Sequence, residues 1–251
     1  MKKYINLLFL GLSALLLFAC SSTPEEMQDT PLPELYNKAM DAFEENDYKE
    51  AVKYFDEVER QYPYSPWAVN AQIMAAYTYY KNAQYTDAVL VLNRFLELHP
   101  GNKYAPYALY LKGMSYYEQI SDVTRDQKMT DLARDTFTRL VILYPNTPYA
   151  KDAKGKIILT KNHLAGKEMA VGRYYLKTKR YLAAANRFSE VIRTYQTSMH
   201  TPEALYRLAC CYLALGLKDD ARRTAAVLGH NYPASSWYKK AYTLLKEKKV
   251  S

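Results

Sequence analysis

Few residues in this chain of 251 have chemistry to offer: three cysteines, four histidines and a scatter of adjacent carboxylates. His99, His163, His200 and His230 lie far apart, and no His-Glu-x-x-His, Cys-x-x-Cys or glycine-rich phosphate loop accompanies them. A catalytic seat needs a nucleophile, a base and an orienting group within mutual reach. No stretch supplies that trio. The pairs Glu25-Glu26, Glu44-Glu45 and Asp219-Asp220 fall in polar, turn-like surroundings where solvation accounts for them. Cys210 and Cys211 are neighbours, and successive residues on a helix point about 100° apart, which sets them badly for a mutual disulfide. They suit small buried positions instead. No enzyme activity, metal or cofactor is therefore expected. What remains is the thiol of Cys20, and its fate depends on what precedes it.

Lys2 and Lys3 lead an apolar run over residues 5–19 that stops at Leu17-Phe18-Ala19-Cys20. A basic start, an apolar middle and a small residue before the cut make a secretory signal. At about 15 residues the run falls short of the ~20 that a spanning helix needs, so residues 1–19 are expected to be removed. A cysteine directly after the small residue resembles the signal of bacterial lipoproteins, in which that thiol receives a diacylglyceryl group and the new N-terminus an acyl chain. The resemblance implies covalent lipid on Cys20. Ser21 is not the Asp that commonly retains such proteins in the inner membrane, so it also implies anchoring at the outer membrane, on its periplasmic face. Two or more acyl chains, at roughly 0.8 kcal/mol per buried methylene, hold a domain on a bilayer durably. Residues 20–33 are polar, punctuated by proline and without apolar periodicity, which predicts a flexible tether. The whole chain carries a formal charge of +8; without residues 1–19, 32 basic face 26 acidic side chains, leaving +6. Such a balance suits anionic lipid or an acidic partner, and secretion argues against nucleic acid.

Behind the tether one pattern recurs five times. Tyr48, Ala51, Phe55, Val58 and Pro63 align with Tyr85, Ala88, Leu92, Phe95 and Pro100. Ala133, Phe137, Leu140 and Pro145 follow, then Tyr181, Ala184, Phe188 and Val191, then Ala221, Ala225, Leu228 and Pro233. A period of this length marks stacked helix pairs, and the wording is tetratricopeptide-like. Each unit also offers a small residue on its first helix: Ala39, Ala76, Gly113, Gly172 and Ala209. Two helices approach to within about 8–10 Å only where nothing bulky intervenes. The predicted fold is thus all-α, a helical solenoid of five repeats. Terminator slots at 63, 100, 145, 196 and 233 give steps of 37, 45, 51 and 37. The longer steps place extra residues at 120–127, inside the third repeat, and at 147–163, between the third and fourth. The second insertion keeps helical composition, predicting one long helix over Pro148–Lys177 that joins two modules. Residues 34–146 would form the first module, of three repeats, and residues 147–251 the second, with the linking helix, repeats four and five and a lysine-rich cap.

In tetratricopeptide folds the first helices line the concave face. That rule gives Pro33, Tyr36, Met40 and Phe43 in repeat one, Asn70, Ile73, Tyr77 and Tyr80 in repeat two, and Tyr107, Tyr110, Met114 and Tyr117 in repeat three. Apart from Pro33 and Asn70 these are aromatic, Met or Ile, so the expected hollow is apolar and phenolic. Exposed apolar patches of that size mark binding sites, and tyrosine pairs a large rigid face with a hydroxyl for backbone groups. The first module is expected to hold an extended peptide rich in apolar and aromatic residues. Repeats four and five give Gly166, Met169, Arg173 and Leu176, then Glu203, Tyr206, Cys210 and Leu213. This lining is more charged and predicts docking of a folded partner, with Arg187 and Arg193 as candidates to meet an acidic surface.

The phrases Tyr-Pro-Tyr-Ser-Pro-Trp-Ala at 62–68, Tyr-Tyr-Lys-Asn-Ala at 79–83, Arg-Asp-Gln at 125–127 and Tyr-Pro-Asn-Thr-Pro-Tyr-Ala at 144–150 carry a narrower likeness. From about residue 34 to 237 the chain resembles the BamD family of tetratricopeptide lipoproteins, part of the outer-membrane β-barrel assembly machine. The resemblance implies recognition of the C-terminal targeting strand of unfolded outer-membrane proteins by the N-terminal repeats. It implies docking of the barrel subunit BamA by the C-terminal repeats, and further assembly-complex lipoproteins as neighbours. A lipoprotein scaffold for a pilus or another envelope machine is the alternative that the residues alone leave open.

Overall fold

The computed structural model describes residues 30–248, so Cys20, the leader and nearly all of the tether lie outside the described residues. Eleven helices and no strands occupy that span. In chain order they are α1 (Leu32–Glu44), α2 (Tyr48–Gln61), α3 (Pro66–Lys81), α4 (Tyr85–Leu98), α5 (Ala105–Tyr117), α6 (Lys128–Leu143), α7 (Pro148–Lys177), α8 (Tyr181–Thr194), α9 (Thr201–Ala214), α10 (Lys218–Asn231) and α11 (Ser236–Glu247). Each helix packs on its neighbours in sequence, and first helices also touch across repeats, α1 on α3, α3 on α5 and α5 on α7. Short turns between packed helices make antiparallel pairs, stacked as a tetratricopeptide-like solenoid with α11 closing the end. One boundary moves: α1 begins at Leu32, so the tether ends before Pro33. A proline in the first helical turn costs no hydrogen bond, because that turn's N–H groups have no partner inside the helix.

The recurring residues make the core. Ala51, Ala88, Ala133, Ala184 and Ala221 are fully buried, as are Phe95, Phe137 and Phe188, with Phe55 at 1%. The small residues opposite them are buried too, and the spacing there is severe. A Cβ built on Gly113 would stand 2.5 Å from Phe137 Cε1, and one on Gly172 2.6 Å from Phe188 Cε1. The rings therefore seat directly on the glycine backbone of the facing helix. Cores form in series. Leu35, Phe55 and Ala71 belong to the first, Ala76, Phe95 and Leu111 to the second, and Leu109, Phe137 and Ala153 to the third. The long helix α7 serves two of them: Ala153 closes the third core, and Ala165 and Met169 open the next with Phe188 and Leu208.

Turn chemistry repeats as faithfully. Asn46, Ala83, Lys179 and Gly216 all have positive φ, between 57° and 80°, at the end of the first helix in repeats one, two, four and five. There the chain reverses by a left-handed residue, the usual helix stop. Repeat three replaces that turn with residues 118–127, fastened to α7: His163 Nε2 lies 2.8 Å from the Ser121 carbonyl, and Lys167 Nζ donates to the carbonyls of Thr124 and Arg125 at 2.9 and 3.1 Å. The Tyr-Pro punctuation has its own role. The hydroxyls of Tyr62, Tyr144 and Tyr232 donate to the carbonyls of Thr30, Pro100 and Gln196, the last two bridging back to the turn one repeat earlier and the first to the residues just before α1.

Candidate functional site

Most of the expected groove residues form one aromatic sequence across α1, α3, α5 and the start of α7. Proline in the first turn of α3, α5 and α7 is followed each time by an aromatic residue, Trp67, Tyr107 and Tyr149. Those rings reach toward the preceding repeat. Trp67 stands 4.9 Å from Tyr36, edge to face, and Tyr149 lies 5.4 Å from Tyr107 and 5.5 Å from Tyr110. Phe43 bridges the first two repeats, with Tyr48 at 5.8 Å and Tyr77 at 5.7 Å. Tyr110 and Tyr117 rest on the buried ring of Phe137, at 6.2 and 6.3 Å. Offset and edge contacts of this kind each contribute about 0.5–1.5 kcal/mol beyond area burial, so the lining is pre-ordered.

The hydroxyls stay at the surface. Tyr110 Oη donates to Asp152 Oδ2 at 2.9 Å, and Tyr80 Oη to Glu118 Oε1 at 3.4 Å. Burial, with these carboxylates beside them, pushes both phenols up to about 12. Burial raises Tyr107 further, helped by Tyr77, Tyr149, Tyr80 and Tyr110 around it. Tyr80, Tyr107 and Tyr110 are therefore neutral at physiological pH, and the hydroxyl protons of Tyr80 and Tyr110 are held by the two carboxylates. Lys156 Nζ, 4.5 Å over the Tyr117 ring, marks its far end.

Tyr36, Met40, Phe43, Tyr77, Tyr80, Tyr107, Tyr110, Met114 and Tyr117 are all half-buried. Ile73 is a correction: at 6% exposure it lies in the second core with Ala76, Leu92 and Phe95. It occupies the same register as Tyr36 and Tyr110, three places before the small residue. A tyrosine there lies over the core and carries its hydroxyl out to water, since burying it unpaired is costly; an isoleucine ends inside. Met169, also in that register, is fully buried for the same reason. Sequence reasoning missed Trp67, Tyr149, Glu118 and Asp152. The recurring Pro-aromatic dipeptide is the signal that points to the first two, whereas nothing local marks the carboxylates.

The C-terminal half differs in kind. Arg173 grips Glu203 with two hydrogen bonds, Nε to Oε1 at 2.9 Å and Nη2 to Oε2 at 2.6 Å, and Arg207 Nε adds a third at 2.6 Å. Burial opposes charge on Glu203, yet the two guanidiniums hold its carboxyl below the usual range. Arg207 and Lys240 both lie over the Trp237 ring, at 5.7 and 4.2 Å. Burial and the charge of Arg173 push His200 down, favouring the neutral imidazole. Arg187 and Arg193 are exposed but not idle. Arg187 pairs with Glu168 on α7 at 3.1 Å, and Arg193 with Glu190 on its own helix at 2.6 Å.

The cysteines on α9 are free thiols. Burial raises both, Cys211 to about 12, which removes the thiolate that nucleophilic chemistry requires. Among the described residues no cluster of His, Cys, Asp and Glu is arranged to hold a metal ion, and no helix is long and apolar enough to cross a membrane.

A family model, YfiO, outer membrane lipoprotein, matches residues 28–228. The chain is 48% identical to the outer membrane protein assembly factor BamD of Caulobacter vibrioides, over 88% of this chain and 72% of that protein. It is equally 48% identical to the BamD of Rickettsia prowazekii, over 86% of each chain. Among solved structures, the TPR domain of P58(IPK) aligns over 86% of this chain and 66% of that one, at 16% identity and a TM-score of 0.41.

Proposed function

The chain belongs to the YfiO family of outer membrane lipoproteins, the family of the assembly factors BamD, and from that premise we propose how its two halves work. Its role is that of an outer membrane protein assembly factor. The first three repeats receive the C-terminal targeting strand of an unfolded outer-membrane protein. The last two dock the barrel subunit BamA, and lipid on Cys20 keeps the scaffold at the outer membrane beside the other lipoproteins of the complex.

The observation that carries the first assignment is the series of ring contacts along the first helices: Trp67 on Tyr36, Tyr77 on Phe43, and Tyr149 on Tyr107 and Tyr110. A strand that alternates apolar side chains and ends in an aromatic needs ring faces at intervals and donors for its open carbonyls. The half-buried tyrosines supply the ring faces, and the neutral Tyr107 hydroxyl is a donor beside them. For the second assignment, the Arg173–Glu203–Arg207 cluster and the exposed Arg187 set a net basic, geometrically fixed surface on repeats four and five, suited to an acidic folded domain.

The test is a photo-reactive residue in place of Tyr77 or Tyr110 in growing cells. Crosslinks to several barrel precursors support the reading, whereas one folded pilus component captured at both sites replaces it with an envelope-machine scaffold. Replacing Arg187 by Glu is expected to weaken co-purification of BamA, and full recovery of BamA with that variant removes Arg187 from the interface.

A further inference from the structure

The last helix carries cations that no described carboxylate pairs with. α11 packs on α9 and α10, with Ala241 1% exposed and Trp237, Tyr238 and Leu245 set around the last core. Its other side is open: Lys239, Lys240, Tyr242, Thr243, Lys246 and Glu247 are exposed, as is Lys248 at its end. Four lysines against one glutamate leave +3 on this helix and its cap. Among the described residues none of these lysines enters a salt bridge. On α10, by contrast, Arg222 and Arg223 are answered by Asp219 and Asp220.

Apolar and aromatic groups stand among the cations. Lys239, Tyr242 and Lys246 share one stripe, at spacings of three and four, and Tyr242 is 62% exposed. Leu244 borders two open clefts, one of about 460 Å³ with Leu213, Lys218 and Lys248, the other of about 370 Å³ with Lys239 and Lys240. Such a mixture suits a bilayer surface, where tyrosine and tryptophan sit at headgroup level. It suits a folded protein less well. The guanidiniums of Arg173 and Arg207 are locked on Glu203, a fixed geometry for a fixed partner, whereas lysines on flexible four-carbon stems are point charges that can follow mobile phosphates. A bilayer is also at hand, because the family is one of outer membrane lipoproteins, and an anchored chain meets its own membrane at high effective concentration.

We propose that the outward face of α11 rests on a membrane surface carrying anionic phospholipid, with Lys239, Lys240, Lys246 and Lys248 meeting the phosphates and Tyr242 lying among the headgroups. Cys20 precedes the first repeat and α11 follows the last, so with lipid on Cys20, which rests on the reading above, the stack is held at both ends. The contact of α11 itself rests on neither strand recognition nor BamA docking. Near an anionic surface each lysine contributes about fivefold to binding.

The experiment uses the full-length lipoprotein in nanodiscs, with a photo-crosslinking amino acid at Tyr242 and, as a control for collision, at Leu182 on α8, which is 66% exposed. Discs of phosphatidylcholine and phosphatidylglycerol in equal parts are compared with discs of phosphatidylcholine alone. The expected product is a phospholipid adduct at position 242, formed in the anionic discs and lost at high salt. Lys239→Gln with Lys246→Gln should lower the docked-to-free ratio roughly 25-fold, with the far-UV spectrum and melting temperature held. Lys239→Arg with Lys246→Arg should keep the adduct, a contrast that misfolding does not give. No adduct, equal yield in both kinds of disc, as much at Leu182, or indifference to the glutamine pair overturns the proposal. So does capture of an acidic protein or a second copy, rather than phospholipid, by the same probe in intact cells. The discs hold no barrel precursor, so a negative result here leaves the assembly role standing, and losing that role does not alter this readout.

Discussion

Three glycines on first helices allow the packing argument to be tested with one substitution that changes sign. Alanine favours a helix over glycine by about 1 kcal/mol. At Gly155, on the exposed middle of α7, a Cβ meets nothing within 4 Å, so Gly155→Ala should raise stability by up to about 1 kcal/mol. At Gly113 and Gly172 the same atom would lie 2.5 and 2.6 Å from ring carbons of Phe137 and Phe188. Both rings are fully buried, so they have no solvent to retreat into. Overpacking of this kind costs about 1–3 kcal/mol, which outweighs or cancels the propensity gain and separates the two classes by about 1–3 kcal/mol. Urea denaturation followed by far-UV circular dichroism measures the midpoints. Trimming the ring should compensate: Gly113→Ala with Phe137→Leu is expected to be milder than the sum of the singles by at least about 0.5 kcal/mol. Because Phe137 supports Tyr110 and Tyr117, Gly113→Ala should also lower peptide crosslinking at Tyr110, and Gly172→Ala should not. If Gly113→Ala proves as stable as Gly155→Ala, the seating of the ring on the glycine backbone is not what fixes the helix spacing, and the reasoning falls.

Ala83 and Lys179 hold left-handed backbone at φ 57° and 59°, so Ala83→Gly or Lys179→Gly should each stabilise by about 0.5–1 kcal/mol, seen as a higher melting temperature. Tyr80 and Tyr110 have phenols raised to about 12 from 10.0, so each favours the folded state fully below pH 10 and loses that contribution as pH climbs to 12. Phenolate absorbance should show them titrating late, with Asp152→Asn bringing the Tyr110 titration earlier. Glu203→Gln leaves Arg173 and Arg207 facing each other without their shared carboxylate, which should cost about 1.5–3 kcal/mol in a urea titration at neutral pH. The same pair holds the Glu203 carboxyl low, so its stabilisation is present above the ordinary carboxylate range and fades as pH falls through the lowered value. The difference between Glu203→Gln and the parent should narrow accordingly in acid.

The residues Ala88, Phe95, Ala133, Phe137, Ala184 and Phe188 reveal their burial by recurrence, since contacts inside a helix pair are local and each repeat must make them again. Helix α7 was legible for a similar reason: Pro148 permits a start, no later proline interrupts, and the structure runs it to Lys177 as expected. The glycines at 113 and 172 were visible as small residues at a crossing. What recurrence does not carry is the relation between one repeat and the next. Whether the side chain three places before the crossing reaches the hollow depends on its length and its polar tip, so Tyr36 and Tyr110 line it while Ile73 sinks into the core. Tyr149 joins Tyr107 and Tyr110 only because the solenoid brings the first turn of α7 against α5, and Asp152 finds Tyr110 across 42 positions of sequence. Arg187 looked free on its helix, yet stacking places Glu168 beside it. Period and composition thus determined the helices, their pairing and the family, because those rest on short-range packing. Tertiary structure alone decided which rings share a face and which charges are already paired, because those depend on how one repeat is set against the next.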